Sequence, residues 1–159
     1  MKIVTTRRSD YGIRAAICLA GRVNTRATAA EIASEMDIPK GFLRQVLQAL
    51  QRDGLVSSLP GRQGGYALTR DPAEISILEI VEALEGQFDI GECALRGGPC
   101  HWSDVCALHE TWSGSRDAFR QELAASTLAE ISAIDQRLTV GDYKIPADSH
   151  RLQNSVDEP

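Results

Sequence analysis

Apolar residues recur at intervals of three and four along the first third of the chain, which is typical of helices that bury one face. The pattern predicts three helices: one capped by Ser9 and ending at Gly21, a short one opening with the capping box at Thr28 and ending before Pro39, and one from about Lys40 to Gly54. Phe42, Leu43 and Val46 are among the apolar positions of the third. The last two of these helices, joined by a four-residue turn, predict a helix-turn-helix.

The polar side of the third helix carries side chains long enough to reach base edges and phosphates in a DNA major groove. They are Lys40, Arg44, Gln45, Gln48, Gln51 and Arg52. An ordinary amphipathic helix also has a polar side, but here a hairpin follows, with strands at 55–58 and 66–69 around a glycine-rich turn. A hairpin in this place is a wing, and Arg62 at its tip either enters a minor groove or remains in solvent.

The second half of the chain contains two further helical stretches around a cysteine-rich segment. A capping box at Ser76 opens a fourth helix that ends at Gly86, and a long helical pattern begins near Asp104 before Thr127 caps a short final helix. The apolar stripe of the long helix comprises Val105, Leu108, Trp112, Phe119 and Leu123. Because such a helix has little core of its own, we expect it to pair with a second copy in a homodimer.

These elements predict a mainly α fold with a small β wing. The expected parts are a winged helix-turn-helix DNA-binding domain over 1–87, a cysteine-rich loop over 88–103, a dimerisation helix and short end helix over 104–139, and a disordered tail over 140–159. No apolar run approaches the ~20 residues of a membrane helix, and the N-terminus lacks the apolar core of a signal sequence. We therefore expect a cytoplasmic protein.

Charge is divided unequally between the two halves. The whole chain carries a formal net charge of −5, which by itself argues against a polyanionic partner. Residues 1–70, however, hold eleven Lys/Arg against five Asp/Glu, whereas residues 71–159 hold six against seventeen. This asymmetry is expected if only the first half contacts the phosphates of double-stranded DNA.

Three of the four cysteines, Cys93, Cys100 and Cys106, lie within fourteen residues, and His109 follows three positions after the last. Glycines and a proline allow the intervening backbone to fold back, and the helical pattern from Asp104 would place Cys106 and His109 on one helix face. Thiolates bind zinc, copper(I) or iron-sulfur clusters, and histidine sometimes replaces a cysteine. The spacing therefore predicts a metal or cluster site.

Other cysteine chemistry fits less well. Disulfides are disfavoured because Cys18 is remote and is expected to be a small core residue of the first helix. A thiol redox enzyme using Cys100 or Cys106 would lack a CxxC pair and a nucleophile-base set, so an enzyme is not expected. A closed zinc site formed by the three clustered cysteines and His109 is the alternative to a cluster.

Taken together, several motifs resemble the Rrf2 family of bacterial winged-helix transcription regulators over about residues 1–138. The motifs are Ser9-Asp10-Tyr11-Gly12-Ile13-Arg14, Gly54-Leu55-Val56, Gly64-Gly65-Tyr66, the stretch from Ile80 to Gly86, and the three-cysteine segment. The resemblance implies that Cys93, Cys100 and Cys106 ligate an iron-sulfur cluster with two or four irons. Loss of the cluster to oxidation, nitric oxide or iron shortage would then change the affinity for an operator.

The resemblance leaves two fourth ligands open. Cluster-assembly regulators of the family use a histidine three residues beyond the last cysteine, which matches His109. Nitric-oxide sensors use an aspartate near the start of the first helix, donated across the dimer, which matches Asp10. The short spacing from Cys106 favours His109, and His101 beside Cys100 is a further candidate.

A symmetric dimer would place two recognition helices in successive major grooves of an imperfect palindrome. The expected DNA-binding side chains are Lys40, Arg44, Gln45 and Gln48 at bases, Arg62 in the minor groove, Arg7, Arg8 and Arg52 at phosphates, and Thr28. Many family members carry an arginine before the wing glycine, where this chain has Pro60, and the cluster-assembly type has a glutamate in place of Arg44. The resemblance therefore does not fix the operator sequence.

Overall fold

The computed structural model describes residues 6–22, 24–61, 64–87, 93 and 98–139. These residues form six α-helices, a short 3-10 helix at Pro72–Glu74 and a two-stranded antiparallel sheet. The elements are α1 (Arg7–Ala20), α2 (Ala29–Glu35), α3 (Lys40–Arg52), β1 (Val56–Leu59), β2 (Gly65–Leu68), α4 (Ile77–Glu85), α5 (His109–Ala125) and α6 (Leu128–Thr139). The architecture is the predicted one, mainly α with a small β wing. In this part of the chain, no helix is both long and apolar enough to cross a membrane.

Helices α2 and α4 begin where their capping boxes predict. The Thr28 hydroxyl accepts from the Glu31 N–H at 3.2 Å, and the Glu31 carboxylate accepts from the Thr28 N–H at 2.7 Å. Ser76 and Glu79 make the same exchange at the start of α4, at 3.2 and 2.9 Å. Each box satisfies two backbone donors that the first turn of a helix leaves open.

Helix α1 begins earlier than predicted. Thr6 is its N-cap, and the Thr6 hydroxyl accepts from the backbone N–H groups of Arg8 and Ser9. The prediction that Ser9 caps this helix is wrong, because a second hydroxyl residue three positions upstream takes that role. Ser9 is instead fully buried in the first turn.

The core of the winged domain lies where α1, α3 and α4 pack together. Its largest buried members include Leu43, Val46, Leu47, Leu50 and Ile80. Helices α1 and α4 approach closely at Gly12, where an added Cβ atom would lie 2.1 Å from Leu84 Cδ1. Phe42, which the apolar pattern groups with the core, is 47% exposed, so that part of the prediction is wrong.

The wing pairs β1 with β2 in the register Val56 to Leu68 and Leu59 to Gly65. Each strand is shifted by one residue from its predicted position. Ala27, ahead of α2, exchanges backbone hydrogen bonds of 2.9 and 2.7 Å with Tyr66 and so fixes the wing to the helix-turn-helix. Gly65 has φ +137°, and a Cβ there would lie 2.6 Å from the Ala27 carbonyl oxygen, so this position requires glycine.

Helix α5 begins at His109 and not near Asp104, so the predicted helical start is wrong. The preceding backbone closes a single turn instead, since the N–H groups of Val105 and Cys106 both donate to the Trp102 carbonyl oxygen. No residue of α5 is buried in the single chain. The tail predicted over 140–159 lies outside the described residues.

Helix α6 returns to the winged domain and packs against α1 and the 3-10 helix. Leu128 at its start is fully buried, and its N–H donates to the Ile75 carbonyl oxygen at 2.8 Å. The Ile77 N–H donates in turn to the Ser126 carbonyl oxygen at 2.9 Å. The corner between α5 and α6 is therefore bonded to the start of α4.

Candidate functional site

The recognition helix α3 separates its polar and apolar residues onto opposite sides. Lys40, Arg44, Gln45 and Gln48 are all exposed, as the sequence predicts. The buried side is formed by Leu43, Val46, Leu47, Ala49 and Leu50. Lys40, Arg44 and Gln48 follow one another at intervals of four residues, and Gln45 lies three residues before Gln48. This spacing places the donors along one side of the helix, where they could read a groove of DNA.

Two predicted DNA-binding residues make contacts within the protein. Arg52 is exposed, but its Nη2 donates to the Ala83 carbonyl oxygen in the last turn of α4 at 3.5 Å. The Thr28 hydroxyl is occupied by the capping box with Glu31, to which it also donates at 2.8 Å. Both side chains therefore stabilise the winged domain in addition to any contact with phosphate.

Arg7 and Arg8 are exposed at the start of α1, beside a hydrogen-bonded cluster that joins α1 to α4. The hydroxyls of Thr6 and Ser9 both donate to Glu85 Oε1, the Ser9 bond measuring 2.6 Å. Burial acts to raise the pKa of Glu85, but these hydrogen bonds and the charge of Arg8 lower it on balance. Glu85 is therefore an ionised link between the first turn of α1 and the last turn of α4.

The base of the wing contains a cation that the sequence pattern does not reveal. Arg26 Nη1 donates to the carbonyl oxygens of Gly65 at 3.3 Å and Ser57 at 3.4 Å. Arg26 directly precedes Ala27, and only the tertiary bridge from Ala27 to the wing places it there. Arg62, predicted at the wing tip, lies outside the described residues.

Short backbone turns shape the cysteine segment, by which we mean the described residues 93 and 98–109. The bonds that close them are Cys93 N–H to Gly98 O at 2.7 Å, Cys106 N–H to Trp102 O at 2.8 Å, and His109 N–H to Cys106 O at 3.0 Å. Cys100 Sγ lies 3.5 Å from His109 Nδ1. Cys93, Cys100 and Cys106 are free thiols, and all three are half-buried.

The structure thus brings Cys100 and His109 together among the predicted ligands. Cys106 precedes α5 and His109 is its first residue, so the prediction that these two share a helix face is wrong. Within the described ranges, no group of three His, Cys, Asp or Glu side chains forms a ready metal cage. The donor chemistry, soft thiols beside an imidazole, suits zinc or an iron-sulfur cluster.

Asp10 is paired within its own helix. Its Oδ1 accepts from Arg14 Nε at 3.1 Å, an ion pair four residues apart. Arg14 also donates to the Met36 carbonyl oxygen at 3.3 Å. A role for Asp10 as a cluster ligand would require it to leave this pair.

Cys18 is a core residue, as predicted, and is only 4% exposed. Its thiol donates to Glu35 Oε2 at 3.3 Å, and Glu35 also pairs with Arg22. Burial, followed by the hydrogen bond to Glu35, raises the pKa of Cys18 to about 12. This thiol therefore stays protonated.

Comparison with known proteins agrees with this architecture. Residues 5–134 match the model of the Rrf2 family, described as iron-dependent transcriptional regulators. The HTH-type transcriptional regulator IscR of Citrobacter koseri is 30% identical over 158 residues, covering 96% of this chain and 95% of the relative.

Two solved structures extend the comparison. CymR, the global cysteine regulator of B. subtilis, superposes with a TM-score of 0.70 and 27% identity over 84% of this chain and 98% of its own. IscR of T. potens shares the fold, with a TM-score of 0.66 and 23% identity over 96% of each chain. The relatives are named as transcriptional regulators and not as enzymes. This chain belongs to the Rrf2 family of winged-helix, DNA-binding transcriptional regulators.

Proposed function

We propose that this regulator is a homodimer that senses redox, nitric-oxide or iron status through an iron-sulfur cluster held by Cys93, Cys100, Cys106 and His109. The observation that carries the proposal is the 3.5 Å approach of Cys100 Sγ to His109 Nδ1 in a segment with two further half-buried free thiols. When bound, such a cluster supplies a centre that oxygen and nitric oxide can destroy. The segment itself supplies the thiolates and the imidazole.

The contact of Cys100 favours His109 over Asp10 as the fourth ligand. His109 is already beside one thiol, whereas Asp10 is held by Arg14. Alanine at His109 should therefore lower the cluster content or shift its visible absorbance. Alanine at Asp10 should leave both unchanged, and the reverse result would favour the aspartate.

The last turn of α4 offers a route from the cysteine segment to DNA. This turn precedes the segment in the sequence. Within it, the Glu85 carboxylate accepts hydrogen bonds from Thr6 and Ser9, next to the exposed Arg7 and Arg8. The Ala83 carbonyl oxygen in the same turn accepts from Arg52 at the end of the recognition helix. We infer that a cluster bound by the segment biases, through this turn, both elements that present cations to phosphate.

The incomplete burial of α5 supports a homodimer. None of its residues is fully buried in the single chain, and the apolar residues Trp112, Phe119 and Leu123 are only half-buried, although Leu123 contacts the core. Covering these residues with the same helix of a second copy would bury them by a two-fold arrangement. Two recognition helices related by that axis would bind a palindromic operator, with Lys40, Arg44, Gln45 and Gln48 at bases.

Metal analysis of protein purified without oxygen tests the cluster directly. We expect iron and acid-labile sulfide in the native dimer, and their loss when Cys93, Cys100 or Cys106 is replaced by alanine. Cys18→Ala is the matched control, because this thiol is in the core and should not affect iron content. If the purified protein contained no iron, the cluster proposal would be overturned. If the same residues held zinc, the closed zinc site would be the correct interpretation.

The route through α4 has its own test. Glu85→Gln should retain the cluster but reduce the difference in DNA affinity between cluster-loaded and cluster-depleted protein. Glu74→Gln, an exposed carboxylate in the 3-10 helix, is the control and should keep the full difference. An undiminished difference in the Glu85 variant would contradict this route while leaving the cluster proposal intact.

A further inference from the structure

The recognition helix exposes an aromatic ring that the fold leaves partly uncovered. Phe42 lies in the first turn of α3 and is 47% exposed, whereas the neighbouring Leu43 is almost completely buried. The first residues of a recognition helix are those that contact base edges in helix-turn-helix proteins. A large apolar side chain in this place gains free energy only if a partner covers it.

The ring is held in place by a neighbour. The Phe42 and Tyr11 ring centroids lie 5.8 Å apart with planes inclined at 57°, within the range of favourable aromatic pairs. Tyr11 belongs to α1, which packs firmly against α3. Phe42 is therefore partly ordered before any partner binds, which lowers the entropy cost of using it for recognition.

The polar residues in the same turns of α3 indicate which partner the ring meets. Gln45, three residues after Phe42, lies beside it on the helix surface, and Lys40 and Arg44 are exposed in the same two turns. These side chains suit phosphates and the acceptor atoms of bases. The apolar feature of a major groove is the C5 methyl group of thymine, which aromatic and aliphatic side chains contact. An exposed ring beside an amide side chain, in the turns of α3 that also carry two cations, fits this groove.

We propose that Phe42 is a specificity-determining residue that contacts the methyl group of a thymine in each operator half-site. This inference rests on the DNA-binding function and adds the base that one named side chain selects. Packing of the ring on a deoxyribose would also bury it but would carry no preference for thymine. The two arrangements therefore differ in their response to removal of a single methyl group.

Thymine-to-uracil replacement provides the test. Duplexes that bind the full-length wild-type protein are selected from a random pool, and each thymine of the half-site is then replaced singly by deoxyuracil. For wild-type protein we expect one replacement to weaken binding by about fourfold per half-site, as loss of one buried methyl group implies. Fluorescence anisotropy at fixed salt measures the dissociation constants.

Variants at Phe42 test whether this side chain is the source of the preference for thymine. Phe42→Ala should bind thymine and uracil duplexes equally, while Phe42→Leu should retain part of the preference, and circular dichroism confirms that both variants fold. If Phe42→Ala still distinguishes thymine from uracil duplexes, or if the wild-type protein distinguishes them at no thymine of the half-site, this inference is overturned. The proposed function is not affected by either result. Failure of the wild-type protein to select any duplex would instead overturn the proposed function together with this inference.

Discussion

Replacing Leu128 by alanine tests whether α6 is an integral part of the winged domain. Leu128 is fully buried, and its N–H donates to the Ile75 carbonyl oxygen. The substitution removes three carbon atoms from this site, which corresponds to about 2.4 kcal/mol of transfer free energy. A cavity that neighbouring side chains fill only in part adds to this loss, so we expect the free energy of unfolding to fall by about 3 kcal/mol.

Ile134 provides a matched control in the same helix, because it is 46% exposed. Alanine at Ile134 should cost about 1 kcal/mol or less. For a chain of this size each kcal/mol shifts the melting temperature by roughly 2–4 °C, so the Leu128 variant should melt about 6–12 °C below wild type. Thermal and urea unfolding followed by circular dichroism measure both variants.

Two protein concentrations are needed, because a second copy that covers Ile134 would make the stability depend on concentration. At the lower concentration, the Leu128 variant should remain the less stable by about 2 kcal/mol. Equal losses for the two variants would refute the conclusion that α6 docks through Leu128.

Three further results are expected. During alkylation of folded, cluster-depleted protein at pH 8, Cys18 should stay unmodified while the thiols of the cysteine segment react, because Cys18 is buried. Mass spectrometry that shows equal rates of modification would contradict the burial of Cys18. Thr28→Ala should lower the free energy of unfolding by about 1 kcal/mol through loss of the cap, whereas an unchanged urea midpoint would exclude a capping role. Burial acts to raise the pKa of Glu79, but bonds from Ser76 and Arg70 lower it on balance, so its stabilising effect is present above its unfolded pKa and lost as the pH falls through the folded value. Glu79→Gln should therefore flatten the acid side of the stability profile, and an unaltered profile would count against this linkage.

Local rules explain why much of the fold is predictable from the sequence. The boxes at Thr28 and Ser76 each depend on two residues three positions apart, so sequence spacing suffices to locate the starts of α2 and α4. The same rules become ambiguous where two cap residues compete. Thr6 and Ser9 are both suitable, and both hydroxyls donate to Glu85, which lies 76 residues beyond Ser9. Local sequence spacing therefore does not decide between them.

Features that depend on tertiary contacts were not predictable. Apolar periodicity groups Phe42 with the core, but its ring lies at the edge of the buried face and packs on Tyr11. The pattern after Asp104 is helical in composition, yet the backbone forms a separate turn at Cys106 before α5 begins. The docking of Leu128 depends on a backbone bond to Ile75, for which the sequence offers no local signal.

The candidate site also has one feature that the sequence predicts and one that depends on the fold. The residue types and spacing of Cys93, Cys100, Cys106 and His109 predict the chemistry, because ligand softness is a property of the side chains themselves. Which thiol approaches the imidazole is a property of the fold, and the structure places the Cys100 thiol 3.5 Å from His109 Nδ1.

The most direct test of the central claim compares DNA binding by this regulator with and without the proposed cluster. Anisotropy titrations of one selected duplex, performed without oxygen and at fixed salt, should give dissociation constants that differ by about tenfold or more, a typical allosteric coupling. The variant Cys100→Ala should match the cluster-depleted protein. Identical dissociation constants for cluster-loaded and cluster-depleted protein would contradict control of DNA binding by the cysteine segment.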